Sequence, residues 1–299
     1  MRVGVHAGGG LPPWLRWGWL ALLAALWLVQ PAWAEVSSGP PPPQPLRLSA
    51  VPLSGGEETV RQFAPLVGYL SQWLERPVEF RYLSSHEQVL DGLRQGAIDL
   101  AYLGPAPYAE LVGKGPGQLS AELIVPLARF KEADGKAAYR CALVAFADDR
   151  LPLNAAARPV VGMPNALSTC GPLSVRAMLA DKGVPWAQVS ARFLGNHDQV
   201  ARAVVAGRVQ LGGVREEVAL RHASLGLRVL ARTEPMPGFV LVAHAGQMPA
   251  AVLQRLRGLP DTPAADYTRW GEGLRHGLER VSDTDFDPVR AMLTKAEQP

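Results

Sequence analysis

Cysteine is almost missing from this 299-residue chain: there are two. Two can form one bridge at most, so a disulfide-dense scaffold is excluded. A dominant charge of one sign is missing as well. Lys and Arg number 30 and Asp and Glu 27; residues 1–34 hold Arg2, Arg16 and no acid, which leaves 28 against 27 beyond them. That balance gives no general attraction to nucleic acid or to an anionic membrane. Beyond residue 34 there is no apolar run of membrane length, no internal repeat and no heptad pattern. The common catalytic signatures are absent too: no Gly-x-Ser-x-Gly elbow, no His-Glu-x-x-His and no phosphate-cradling Gly-x-x-x-x-Gly-Lys. Asp283, Asp285 and Asp287 alternate as at the start of a calcium loop, but the Gly and Glu such a loop needs do not follow. They read as a helix-capping turn. These absences favour a binding domain over an enzyme, with no metal and no cofactor.

What is present begins with an export signal. Arg2 and Arg16 precede the apolar run Trp17 to Val29, and Pro31-Ala32-Trp33-Ala34 follows. That is the pattern of a signal peptide, residues 1–34, cut after Ala34; an uncleaved N-terminal anchor is the other reading. Localisation in the periplasm follows from it. Residues 35–44, with Pro40 to Pro43, read as an extended linker. Roughly 260 residues remain, enough for one large or two medium domains.

Short apolar strands then alternate with amphipathic helices. Leu46 to Val51 alternates like a strand, and Glu57 to Leu74 places Val60, Phe63, Leu66, Val67, Leu70 and Leu74 at helical spacing. Val78 to Leu83 is the next strand, His86 to Gln95 the next helix, and Ile98 to Leu103 is almost wholly apolar, as inside a parallel sheet. A second set runs from Glu122 to Leu230, Phe239 to His244 is a further strand, and the tail looks mainly helical. Repeated β-α order predicts α/β sheets with helices on both faces. Residues 45–140 and 240–299 are expected to form one lobe and 141–239 the other, with a hinge and a ligand cleft at the strand ends between them.

Ser168-Thr169-Cys170-Gly171-Pro172 is the most informative stretch. Proline is best tolerated in the first turn of a helix, so the hydroxyls fall at a helix start, beside free N–H groups and the positive end of the dipole. Such a place binds anions. It can equally be a plain cap.

The order of these and other segments resembles the periplasmic binding proteins of phosphonate, phosphite and phosphate ABC transporters. The resemblance runs through Phe63-Ala64-Pro65-Leu66, Gly96-Ala97-Ile98-Asp99-Leu100-Ala101, Leu103-Gly104-Pro105-Ala106-Pro107-Tyr108, Ser168-Thr169-Cys170-Gly171, Gly195-Asn196-His197-Asp198, Met236-Pro237-Gly238 and Asp285-Phe286-Asp287-Pro288. It implies a two-lobed type II periplasmic binding fold that closes on a small oxyanion and works as a monomer with a membrane permease. It also implies that Ser168, Thr169 and His197 hold the anion, that His86 stands at an aromatic ligand contact, and that Glu217 takes an amino group on the ligand; Tyr108 is close to another aromatic contact. The sequence departs from the family at Phe239, where a second acid is expected, at Leu103, where an aromatic is expected, and at Cys170, where a third hydroxyl is expected.

Both cysteines fall at the expected cleft. In an oxidising compartment Cys141 and Cys170 suit a disulfide. The alternatives are a reduced pair holding a thiophilic ligand such as arsenite, in a protein that signals to a sensor kinase, and a Cys170–His197 dyad in a hydrolase.

Overall fold

The computed structural model describes residues 43–149 and 151–297, together with the isolated Gly4. The signal-peptide expectation and nearly all of the linker lie outside the described residues. Among the described residues no helix is long and apolar enough to cross a membrane.

The first sheet is built from β1 (Leu46–Ala50), β2 (Val78–Phe80), β3 (Leu100–Leu103), β4 (Ile124–Phe130), β12 (Val240–His244) and β13 (Leu278–Glu279), in the order β13-β4-β12-β3-β1-β2. Strand β1 pairs in parallel with β2 and β3, while β12 runs antiparallel between β3 and β4. The parallel strands need crossovers, which α1 (Gly56–Trp73) and α2 (His86–Arg94) supply. Phe63, Leu66 and Leu70 of α1 and Val89, Leu90 and Leu93 of α2 pack with these strands into one core. The helical spacing in the sequence anticipates those faces.

The second sheet is β10-β6-β9-β7-β8, with β6 (Cys141–Phe146), β7 (Val160–Met163), β8 (Ser190–Phe193), β9 (Leu211–Arg215) and β10 (Leu227–Arg232). Every residue of β6 from Cys141 to Ala145 is buried, as in a strand covered on both sides. Its side chains divide by parity. Ala142 and Val144 join Val200 and Val204 of α5 (His197–Val205), and Leu143 and Ala145 join Val175, Met178 and Leu179 of α4 (Ser174–Ala180).

The chain passes between the sheets twice, through β5 (Ala138–Tyr139) and β11 (Met236–Pro237), which form a small antiparallel ribbon. The ribbon is tight: a Cβ on Gly238 would lie 2.7 Å from the Phe130 carbonyl oxygen and 2.9 Å from that of Ala137. Two adjacent crossing strands make a hinge. The last helix, α8 (Asp287–Glu297), lies against both halves. Val289, Met292 and Leu293 pack with Ala106 and Ala109 of α3 (Pro105–Leu111) and with Leu173.

Two expectations change. The tail holds, besides α7 (Ala250–Arg257) and α8, the short strand β13, which pairs with the far end of β4. The helix expected from Pro172 becomes regular only at Ser174, because a wider turn, Thr169–Leu173, comes first.

Candidate functional site

A cavity enclosing about 20 Å³ of free volume lies where the lobes meet beside the ribbon. The first lobe presents the start of α2 at His86 and the β3–α3 junction at Gly104. The second presents Asn165, the turn Ser168-Thr169-Cys170, the start of α5 at Asn196-His197, and Arg215 at the end of β9. Tyr139 and Phe239 close it from the hinge side.

Each wall has a local cause. Ser85 caps α2 by accepting from Gln88 N at 3.2 Å, and the Asn196 side chain caps α5 by accepting from Gln199 N at 2.9 Å. These caps place His86 and His197 at the first helical positions. The turn 168–173 folds back on Asn165. A Cβ on Gly171 would stand 2.9 Å from the Asn165 carbonyl oxygen, so the close approach requires glycine there. Below the turn, the Ser174 hydroxyl donates to the Thr169 carbonyl at 2.6 Å.

The expected helix cap is therefore not what the hydroxyls do. Ser168 makes no side-chain capping bond and lines the cavity. Thr169 Oγ1 accepts from Ala106 N, in the opposite lobe, at 3.0 Å. That bond links the lobes and leaves the Thr169 O–H hydrogen to donate elsewhere.

Cys141 and Cys170 are joined, with Cα atoms 5.1 Å apart. The bridge fixes the turn to the first residue of β6, next to the hinge. Neither sulfur is a thiol, so the thiophilic pair and the Cys170–His197 dyad both lack their reactive group.

His197 and His86 are neutral. Burial, aided by the nearby Arg215 guanidinium, holds His197 down to about 3, and burial holds His86 down to about 4. Nδ1 of His197 is buried without a hydrogen-bond partner. His197 therefore meets the cavity as a neutral imidazole. Both values lie below the ordinary 6.5, so the unfolded chain takes up these protons first. The stability they contribute is complete above pH 6.5, declines as the pH falls, and is lost by about 3. Melting measured at pH 7 and pH 5 should show a fall for the wild type and a smaller one for His86→Gln with His197→Asn. Equal falls would contradict the assignment.

Two expected ligand residues lie elsewhere. Tyr108 is fully buried on α3, its hydroxyl donates to Asp283 Oδ1 at 2.8 Å, and its ring packs on Phe286 at 4.3 Å. It belongs to the core under α8. Glu217 is exposed on α6 (Glu216–Arg221), on the outer side of Arg215 at 3.5 Å from Nη1. It lines a wider opening of about 270 Å³ with Glu132, Asp198, Arg221 and Glu272.

Arg215 itself was not singled out by the sequence. Its guanidinium carbon sits 4.6 Å above the centroid of Tyr139 and 5.5 Å from that of Phe239. Nη2 is ion-paired with Glu132 Oε2 at 2.6 Å, and Nε is buried without a hydrogen-bond partner. A lone arginine at the end of an apolar strand is the available signal, because a charge there must meet an anion or a partner.

The model of the family described as ABC transporter, phosphonate, periplasmic substrate-binding protein matches residues 48–260, which include every residue lining the cavity. The chain is 29% identical over 278 residues to the phosphate-import protein PhnD of Mycolicibacterium smegmatis, covering 83% of this chain and 84% of that protein. Among solved structures it is similar to PhnD1 of Prochlorococcus marinus in complex with methylphosphonate, with a TM-score of 0.67 at 14% identity, covering 84% of this chain and 97% of that one. It is likewise similar to a binding protein component of the ABC phosphonate transporter from Pseudomonas aeruginosa, with a TM-score of 0.68 at 17% identity, covering 85% and 87%. These two likenesses carry the two-lobed fold; the match over residues 48–260 carries the family. The chain belongs to the periplasmic substrate-binding proteins of phosphonate ABC transporters.

Proposed function

We propose that this protein captures one small tetrahedral oxyanion of the phosphate, phosphite or methylphosphonate kind in the periplasm and delivers it to an ABC permease. The observation that carries this reading is the lining of the cavity, which gathers hydrogen-bond donors and, among the described residues, holds no carboxylate to take an amino group. The lining supplies donors: the Ser168 and Thr169 hydroxyls, the Asn165 and Asn196 amides, the His197 imidazole and the Arg215 guanidinium.

The lobes act as a clamp. The second lobe carries most of the donors, and the first closes over them through His86 and Gly104. An anion that touches both lobes stabilises only the arrangement in which they meet, so it shifts the population toward closure. The Thr169–Ala106 bond is made in that same arrangement and adds to the latch when the lobes meet.

Titration calorimetry tests the reading. Phosphate, phosphite and methylphosphonate should bind, and 2-aminoethylphosphonate should bind more weakly. Hydrogen bonds to a charged group contribute about 1.5–3 kcal/mol each, so Ser168→Ala with Thr169→Ala should weaken phosphate binding by at least roughly tenfold. An unchanged affinity in that variant would place the site elsewhere.

A further inference from the structure

Arg215 is the one full positive charge among the described residues that line the inner cavity. Its Nε is buried with no hydrogen-bond partner, while Nη2 is ion-paired with Glu132. A buried guanidinium N–H left unpaired at a cavity lined with donors suits an oxyanion. The guanidinium is held there by ring faces, which fix its plane without using its N–H groups. Its counter-ion comes from the other side of the hinge: Glu132, in the β4–β5 connection, stands 2.6 Å from Nη2.

The surrounding charges divide into spent and unspent groups. From α5, Asp198 is paired with Arg221 and His222. From α6, Glu216 is paired with Arg232, and Glu217, exposed to solvent, stands 3.5 Å from Arg215 Nη1. His86 of α2 and His197 of α5 are uncharged, as are the Tyr102 and Tyr139 hydroxyls of β3 and β5. Glu272, His276 and Asp134 lie in or beyond the outer opening, where water screens them. What faces the cavity is one cation already opposed by the half-buried Glu132 carboxylate and, from the solvent side, by Glu217.

We propose that Arg215 is the charged ligand of the captured anion and that Glu132, by balancing it, makes the site select oxyanions carrying a single negative charge. A dianion here would leave an uncompensated buried charge beside Glu132, which is costly. A monoanion that retains a P–OH brings one charge fewer and a proton to share with a neighbouring acceptor. Phosphate and methylphosphonate offer such a form on the acid side of their second ionisation, and sulfate does not. Burial already pushes the Glu132 carboxyl upward, in the direction expected for a carboxylate that an approaching anion would further disfavour.

This inference rests on the oxyanion reading above, and calorimetry separates the two. Wild-type protein should bind phosphate at pH 6.5 at least roughly 100-fold tighter than sulfate. Above the second ionisation of phosphate its affinity should fall by roughly tenfold per pH unit, because one proton must be taken up for each ion bound. Glu132→Gln should flatten that slope and improve sulfate binding at least roughly tenfold. Arg215→Met should lose phosphate at pH 6.5 by at least roughly 100-fold, with Arg215→Lys in between. Circular dichroism checks that each variant is folded, and if Arg215→Met is not, Glu132→Gln and Arg215→Lys decide. Phosphate binding by folded Arg215→Met or Arg215→Lys at wild-type strength overturns the role of Arg215. An unchanged pH slope and sulfate affinity in Glu132→Gln overturns the charge selection. If wild-type protein binds none of these oxyanions, it is the oxyanion reading that fails.

Discussion

Protein carrying Cys141→Ala and Cys170→Ala is expected to be about 3–4 kcal/mol less stable than the wild type. The bridged residues are 29 apart in sequence, and closing a loop of that length in the unfolded chain removes conformational entropy worth about that much. Both cysteines are almost completely buried, so the loss of two sulfurs from a packed site adds to the cost. For a domain of this size the loss corresponds to a melting temperature lower by roughly 10 °C. Phosphate affinity should change much less. The turn keeps the close approach of Gly171 to Asn165 and the Ser174 bond to the Thr169 carbonyl, which fix its shape without the bridge. Urea denaturation of the oxidised wild type against the alanine pair measures the first effect, and calorimetry the second. Equal stability would mean that the two sulfurs are not joined in the folded protein.

The alternating strands and the helical faces were legible because burial imposes a period on the sequence. Ile98 to Leu103 is almost wholly apolar, and its Leu100–Leu103 part forms a strand buried on both faces; Phe63, Leu66 and Leu70 share one helical stripe. Ser168, Thr169, His86 and His197 stand out in the sequence, and the structure gathers all of them at one cavity. Two other candidates, Tyr108 and Glu217, lie away from the inner cavity; adjacent residues on a helix point about 100° apart. Pro107 lines the cavity, so its neighbour Tyr108 faces the core and meets Phe286 and Asp283. Glu217 follows Arg215 by two positions, across the change from strand to helix, and emerges on the outer side. Arg215 was missed for a different reason. Its meaning depends on Glu132, Tyr139 and Phe239, which are distant in sequence and come together only when the two crossing strands pair. The strand β13 had no signal, since its two residues are a strand only through β4.

The anion turn rests on a position that sequence periodicity would pass over. Gly213 lies in β9 opposite Leu143 of β6, one strand from the Cys141 end of the bridge. A Cβ on Gly213 would stand 2.4 Å from the Cys170 carbonyl oxygen and 2.3 Å from Val175 Cγ2. Ordinary contact begins near 3.5 Å, so the turn would have to lift by about 1 Å. Val175 can rotate, but the Cys170 carbonyl is backbone and is tied to β6 by the disulfide. Gly213→Ala should therefore cost about 1–3 kcal/mol or more of stability. It should also displace Ser168 and Thr169 relative to His197 and Arg215, and weaken phosphate binding by at least roughly tenfold, because hydrogen bonds decay steeply with misalignment. Gly212→Ala is the matched control. Its Cβ would point to the other face of the sheet, toward the side chains of Val200, Val204 and Val144 at 2.8, 2.9 and 3.2 Å. That variant should lose stability by a similar amount and keep its affinity, since the α5 side chains can yield without moving the turn. Melting and calorimetry on the two alanine variants separate packing from site geometry. If folded Gly213→Ala binds phosphate like the wild type, the turn 168–170 does not hold the anion; if both variants lose affinity equally, the second sheet as a whole, rather than its contact with Cys170, sets the geometry of the site.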